Sequence, residues 1–147
     1  MKYGKLRTLR GQIIVTGGVG RKNIIVSDGL VNLGLKINSF TVWNKDAPTA
    51  TAKFTSILSL DTISSGADMN AGDNRQFAWS FFTTSSVNPA GTTVRTIIDP
   101  DHIVNRDLFL TMDNSSDGTY NYLIEAQVVE LSDDEAIITI IKETSQS

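Results

Sequence analysis

Most of this chain consists of short segments rich in β-branched and aromatic residues, separated by clusters of Gly, Pro, Asn, Asp and Ser. Segments of that kind are typical of β-strands joined by turns. Leu33–Trp43 shows the pattern best. Its first half alternates Leu33, Leu35 and Ile37 with small or polar residues, as in a strand with one buried face. The alternation changes phase at Asn38–Ser39, which predicts a bulge there.

No helical pattern lies between these segments, and parallel strands would need such crossovers. A chain of 147 residues with about eight short strands is therefore predicted to be all-β, a single eight-stranded antiparallel sandwich or barrel. A long polar loop, Asp61–Asn74, is expected within it. The predicted strands are Gln12–Thr16, Asn23–Val26, Leu33–Trp43, Ala50–Leu60, Phe77–Phe82, Thr92–Ile98, Asp107–Met112 and Thr119–Leu131.

The C-terminal segment has the signature of a short helix, predicted over residues 133–143. Ser132 and Glu135 have the spacing of a capping box, in which each side chain satisfies a backbone amide of the other residue. Ala136 then shares one helical face with Ile137, Ile140 and Ile141. We expect these isoleucines to be buried, either against the open end of the sandwich or in a groove of a neighbouring subunit.

The charge of the chain is divided unevenly. No acidic residue precedes Asp28, so the first 27 residues carry +6 and the remainder carries −9, which gives the net charge of −3. We therefore predict a basic N-terminal arm, residues 1–22, followed by the sandwich domain, residues 23–147, with the glycines at 17–20 as a flexible hinge. Such an arm favours an anionic partner, either nucleic acid or the acidic surface of a neighbouring copy. Its basic residues are Lys2, Lys5, Arg7, Arg10, Arg21 and Lys22.

The residues that commonly support catalysis are scarce. The chain has no cysteine, which excludes disulfides, thiolate metal sites and cysteine nucleophiles. Its single histidine, His102, follows Asp99-Pro100-Asp101. These residues would suit a metal site or a general base with an orienting carboxylate, but a polar corner between two strands is the simpler interpretation. We expect no catalytic, cofactor or metal site, and therefore no enzyme.

The aromatic residues allow two interpretations. They would suit a platform on which sugars or bases stack, but aromatics on both faces of Phe77–Phe82 favour a strand buried on two sides, in a core or a subunit interface. The aromatic residues concerned are Trp43, Phe77, Trp79, Phe81 and Phe82.

A membrane anchor is not expected, because no apolar run approaches the ~20 residues that span a bilayer. A signal peptide is not expected either, because no uninterrupted apolar segment follows the basic residues of the N-terminus.

The combination of an antiparallel β domain, an acidic body, a basic N-terminal arm and no catalytic set resembles the single jelly-roll capsid proteins of small icosahedral viruses. The resemblance covers nearly the whole chain at the level of architecture and rests on no short motif. It implies a jelly-roll-like sandwich, many copies that self-assemble into the shell of a virion, and arms that contact viral nucleic acid or neighbouring subunits. The alternatives are a minor vertex, spike or decoration protein, and a soluble β-sandwich module that binds a carbohydrate or protein ligand.

Overall fold

The fold is known from a computed structural model that describes residues 2–25, 32–46, 52–84, 93–114 and 117–144. Nine strands and one helix lie within these ranges, and they confirm the all-β class with a short C-terminal helix. Of the predicted strand residues, Val26, Ala50, Thr51 and Thr92 lie outside the described ones. The elements are β1 (Lys2–Val15), β2 (Val19–Ile24), β3 (Leu33–Asn44), β4 (Ala52–Ser59), β5 (Gln76–Thr84), β6 (Thr93–Ile98), β7 (Ile103–Val104), β8 (Leu108–Asn114), β9 (Gly118–Glu130) and α1 (Asp133–Thr144).

The strands form two antiparallel sheets that pack as a sandwich. One sheet has the order β1-β9-β3-β7, and the other has the order β2-β8-β4-β5-β6. The pairing is nested along the chain, since β1 pairs with β9, β2 with β8, β3 with β7, and β4 with β5. This is the strand arrangement of a jelly roll, with β6 added at one edge.

The core lies between the two sheets and follows the period of the strands. In β9, Tyr120, Tyr122, Ile124 and Ala126 are buried, while the residues between them are more exposed. Phe54 of β4 is at the aromatic centre of the core, and its ring centroid lies 4.3 Å from that of Phe82 and 4.7 Å from that of Tyr120.

Two local predictions are confirmed. The pairing register of β3 with β9 shifts between Ile37 and Ser39, where the alternation changes phase. The helix also begins with the predicted capping box. The Ser132 amide donates to Oε1 of Glu135 at 3.1 Å, and the Glu135 amide donates to Oγ of Ser132 at 3.2 Å.

The N-terminal segment differs from the predicted arm. Residues 2–15 are paired with β9 along almost their whole length, and residue 22 lies inside β2. The expected hinge is a tight turn, in which Thr16 and Val19 exchange both backbone hydrogen bonds. Gly17 and Gly18 have φ values of 66° and 85°, a conformation that only glycine adopts readily. The basic segment is therefore an integral part of both sheets.

The carboxylate of Asp117, in the connection between β8 and β9, fixes this turn. The amides of Gly17 and Gly18 donate to Oδ2 and Oδ1 of Asp117 at 3.1 and 3.0 Å. These bonds, first from Gly18 and then from Gly17, lower the pKa of Asp117 because they stabilise its ionised form. The β1–β2 and β8–β9 connections are thus joined at one corner of the sandwich.

Candidate interaction surface

The basic residues form one side of the sandwich. β1 and β2 are the edge strands of the two sheets, and the tight turn between them places both edges on the same side. We call this side the basic edge and define it by its exposed cations. They are Lys2, Lys5, Arg7, Arg10 and Lys22.

Arg21 serves a different purpose from the other predicted arm residues. Its Nε donates to the carbonyl of Ile63 at 3.1 Å, and its Nη2 donates to the carbonyl of Ser64 at 2.6 Å. Both carbonyls belong to the loop at residues 61–75, which we call the covering loop. Sequence reasoning missed this role, because the contact joins residues that are far apart in the chain.

Asp113 of β8 holds the same loop from the adjacent strand. It accepts from Oγ of Ser65 at 2.8 Å and from the amide of Gly66 at 3.0 Å. Within the loop, Arg75 pairs with Asp73, which lowers the pKa of Asp73 and raises that of Arg75. The polar loop predicted at Asp61–Asn74 is therefore bound to the outer face of the β2–β8 pair.

The N-terminal half of β1 extends beyond the core, and its residues 2–8 are all exposed. Leu6 is 77% exposed and Tyr3 is 54% exposed, with Nζ of Lys36 lying 5.8 Å from the centroid of the Tyr3 ring. A bulge interrupts the pairing with β9 between Tyr3 and Leu6. In the part of the chain that the structure describes, β1 forms its ladder with β9 alone.

Helix α1 packs on the sandwich through a small contact. Ala136 is buried in a cluster with Ile103, Val129 and Leu131 at the end of the β1-β9-β3-β7 sheet. The other side of the helix is apolar and exposed. We call this side, together with the first-turn acids Asp133, Asp134 and Glu135, the helix patch. Its isoleucines are Ile137, Ile138 and Ile141, which are 55%, 63% and 58% exposed.

The expected burial of the helical isoleucines against the sandwich is therefore not found for Ile137 and Ile141. The contact with the sheet uses the short side chain of Ala136, which leaves the neighbouring isoleucines outside. Sequence reasoning did not place Ile138 on this face. The structure does not describe the side chain of Ile140. Burial by a neighbouring subunit remains as the prediction for this face.

The aromatic residues do not form a common platform within the described residues. Phe77 and Phe82 are buried in the core, and Trp79 is partly buried with its Nε1 donating to Oε1 of Gln76 at 2.8 Å. Phe81 and Trp43 are exposed but belong to different sheets. Core packing is thus confirmed for Phe77 and Phe82.

His102 lies in a compact corner after β6. The Asp101 amide donates to Oδ1 of Asp99 at 2.9 Å, and the imidazole stacks on Phe77 with centroids 4.6 Å apart and planes at 9°. The adjoining cavity of about 60 Å³ is lined by Ala71, Asp73, Asn74, Gln76, Trp79, Asp99 and His102. Among the described residues, no group of three or more His, Cys, Asp or Glu side chains could hold a metal ion.

In the described ranges, no helix is both long enough and apolar enough to cross a membrane. Comparison of the chain with models of protein families, with characterised proteins and with solved structures finds no match.

Proposed function

We propose that this protein is a virion structural protein, not an enzyme, and that many copies of it assemble into a capsid shell. The observation that carries the proposal is a jelly roll with two exposed surfaces that an isolated soluble domain does not need. One is the basic edge on β1 and β2, and the other is the row of exposed isoleucines on α1. Contiguous exposed apolar side chains of this kind mark sites of protein association.

The basic edge suits contacts with an anion. Its cations are carried by strands that are hydrogen-bonded into the sandwich, so little backbone freedom is lost when they bind a partner. Five cations neutralise few phosphates, so the affinity of a single copy for nucleic acid is expected to be low and to fall steeply with salt. A shell presents many such edges at once, which raises the overall affinity without any new contact.

The size of the purified protein tests assembly directly. We expect closed particles or rings by light scattering and by negative-stain microscopy of the same fractions, with a size distribution that changes between low and high salt. A 16.0 kDa monomer at every salt concentration and protein concentration would contradict the proposal.

A pair of charge reversals tests the role of the basic edge. Arg7→Glu should weaken both particle formation and the binding of a labelled single-stranded oligonucleotide. Arg95→Glu is the matched control, because Arg95 is an exposed cation on β6, an edge strand on the other side of the sandwich. Equal effects of the two variants would show that net charge, not the basic edge, is responsible.

One observation favours a carbohydrate-binding module as a second candidate. Trp43 is 43% exposed and lies in register with Asn121 and Gln12, whose side chains are hydrogen-bonded at 3.2 Å. An exposed indole beside hydrogen-bonding amides is chemically suited to a sugar ring. Sugar-dependent quenching of tryptophan fluorescence that is lost in Trp43→Ala would support this function, and no response across a glycan panel would exclude it.

A further inference from the structure

Two exposed surfaces of the chain are complementary in both polarity and charge. The helix patch on α1 combines exposed isoleucines with an acidic first turn made by Asp133, Asp134 and Glu135. Asp133 accepts from Nδ2 of Asn32 at 2.7 Å, and the half-buried Glu135 accepts from the Ser132 amide, so the exposed Asp134 is the acid on which the contact with a second copy chiefly relies. The N-terminal half of β1, which we call the strand patch, combines the exposed Tyr3 and Leu6 with Lys2, Lys5 and Arg7. Each surface therefore offers the apolar area and the opposite charge that the other one needs.

We propose that the helix patch of one copy docks on the strand patch of a second copy. This inference rests on the proposed self-assembly and names the contact through which it proceeds. It assigns Lys2, Lys5 and Arg7 of the basic edge to the contact between copies, and it leaves Arg10 and Lys22 for nucleic acid in the assembled shell. The charges favour this pairing over contacts of like with like, because two strand patches would bring cations together and two helix patches would bring carboxylates together.

The strand patch is suited to a helix and not to an added strand. The bulge between Tyr3 and Leu6 distorts the edge of β1, and lysine and arginine side chains line it. Both features are known to prevent one sheet edge from pairing with another. A helix satisfies its own backbone hydrogen bonds, so it needs only the side chains that this edge exposes.

The dimensions of the two surfaces also agree. The 12 residues of α1 give a helix about 18 Å long at about 1.5 Å per residue. The exposed residues 2–8 of β1 extend over about 23 Å at about 3.3 Å per residue. Both elements lie at the same end of one sheet, since Lys2 pairs with Glu130 shortly before α1 begins.

The isoleucines of the helix patch stay exposed within their own chain despite this proximity. Ala136 anchors α1 to Ile103 and Val129, and Ile103 belongs to β7, which lies at the edge of the sheet opposite β1. Val129 pairs with Tyr3, so the strand patch of the same chain lies near α1, but the isoleucines of the helix patch remain exposed and are not covered by it. A second copy supplies a strand patch, whose positive charge is opposite to that of the helix patch.

Cross-linking between two variants tests the contact, because the chain has no cysteine of its own. We expect a mixture of Leu6→Cys and Ile138→Cys to form a disulfide-linked dimer under mild oxidation, several-fold more than either variant alone. Leu6→Cys mixed with Ile97→Cys is the matched control, because Ile97 is also an exposed isoleucine but lies on β6. Leu6 and Ile138 are both exposed, so neither substitution removes a core contact.

The charges are tested in the same assay. Adding Lys5→Glu and Arg7→Glu to the Leu6→Cys variant should reduce the mixed dimer several-fold, and adding Asp134→Lys to the Ile138→Cys variant should restore part of it. Particles that form normally while the mixed pair links no better than the control would overturn this contact but leave the proposed function standing. Preferential linking of Leu6→Cys to itself, or of Ile138→Cys to itself, would also overturn it. A chain that stays monomeric and unlinked would overturn both proposals.

Discussion

Gly66 of the covering loop lies directly against the backbone of β8, so Gly66→Ala tests whether the loop is an integral part of the sandwich. A Cβ atom at this position would lie 2.7 Å from the Asp113 amide nitrogen, 2.8 Å from the Met112 carbonyl carbon and 3.0 Å from the Thr111 carbonyl oxygen. All three are backbone atoms of a strand paired on both sides, so they cannot give way. The loop itself must move outward.

The expected loss of stability follows from comparing two responses of the loop: it stays in place and is overpacked, or it is released from β8. Overpacking against fixed atoms costs about 1–3 kcal/mol. The loop can also lift off, which would sacrifice the two bonds from Arg21 and the two to Asp113, at about 0.5–1.5 kcal/mol each, and expose the buried Ile63. Complete release is therefore the costlier route, and we expect Gly66→Ala to lower the free energy of unfolding by about 1–3 kcal/mol.

Urea denaturation followed by tryptophan fluorescence measures this change, and limited trypsin digestion reports cleavage after Arg75 in the loosened loop. Gly72→Ala is the matched control in the same loop, because its Cβ would meet only the side chain of Asn70, with the nearest atom at 3.1 Å. Equal stability of the two variants would refute the claim that the loop is tightly bound at Gly66.

Three further predictions address the core, the helix and the corner turn. Phe54→Ala should destabilise the fold by about 3–5 kcal/mol in urea denaturation, because it empties the aromatic centre of the core. Ser132→Ala should cost about 1 kcal/mol and reduce helical circular dichroism, whereas Ser132→Asp should retain both. Since its pKa is lowered in the folded state, ionised Asp117 stabilises the fold above the ordinary aspartate pKa, and this contribution is lost as the pH falls through the folded value. The stability difference between the wild type and Asp117→Asn should therefore disappear in acid; a difference that is constant with pH would contradict the role of its charge.

Local sequence signals predict the elements whose structure depends on local residues. The phase change at Asn38–Ser39 predicts the bulge of β3, and the Ser132–Glu135 spacing predicts the start of α1. The β-branched and aromatic residues of segment 119–131 predict β9, one face of which is buried along most of its length. In each case the signal and the structure lie in the same short segment.

Features that depend on distant residues were not predictable in this way. Both faces of the first half of β1 are exposed, so residues 2–8 carry no alternating pattern, and only the pairing with β9 makes them a strand. Two consecutive glycines are equally consistent with a hinge and a tight turn, and Asp117 selects the turn from far along the chain. Arg21 likewise has no local signal for its contact with the covering loop.

The nested pairing has a consequence for how the chain is made. β1 finds its partner only when β9 appears, about 120 residues later, which at about 5–20 residues per second is a delay of about 6–24 seconds during synthesis. Until β9 has been made, both edges of β1 are unpaired; in the folded protein β9 pairs with one of them. The lysines and arginines that the mature protein presents on its basic edge then repel other nascent copies of the same strand. The residues proposed to serve assembly thus also protect the chain from premature association before its fold is closed.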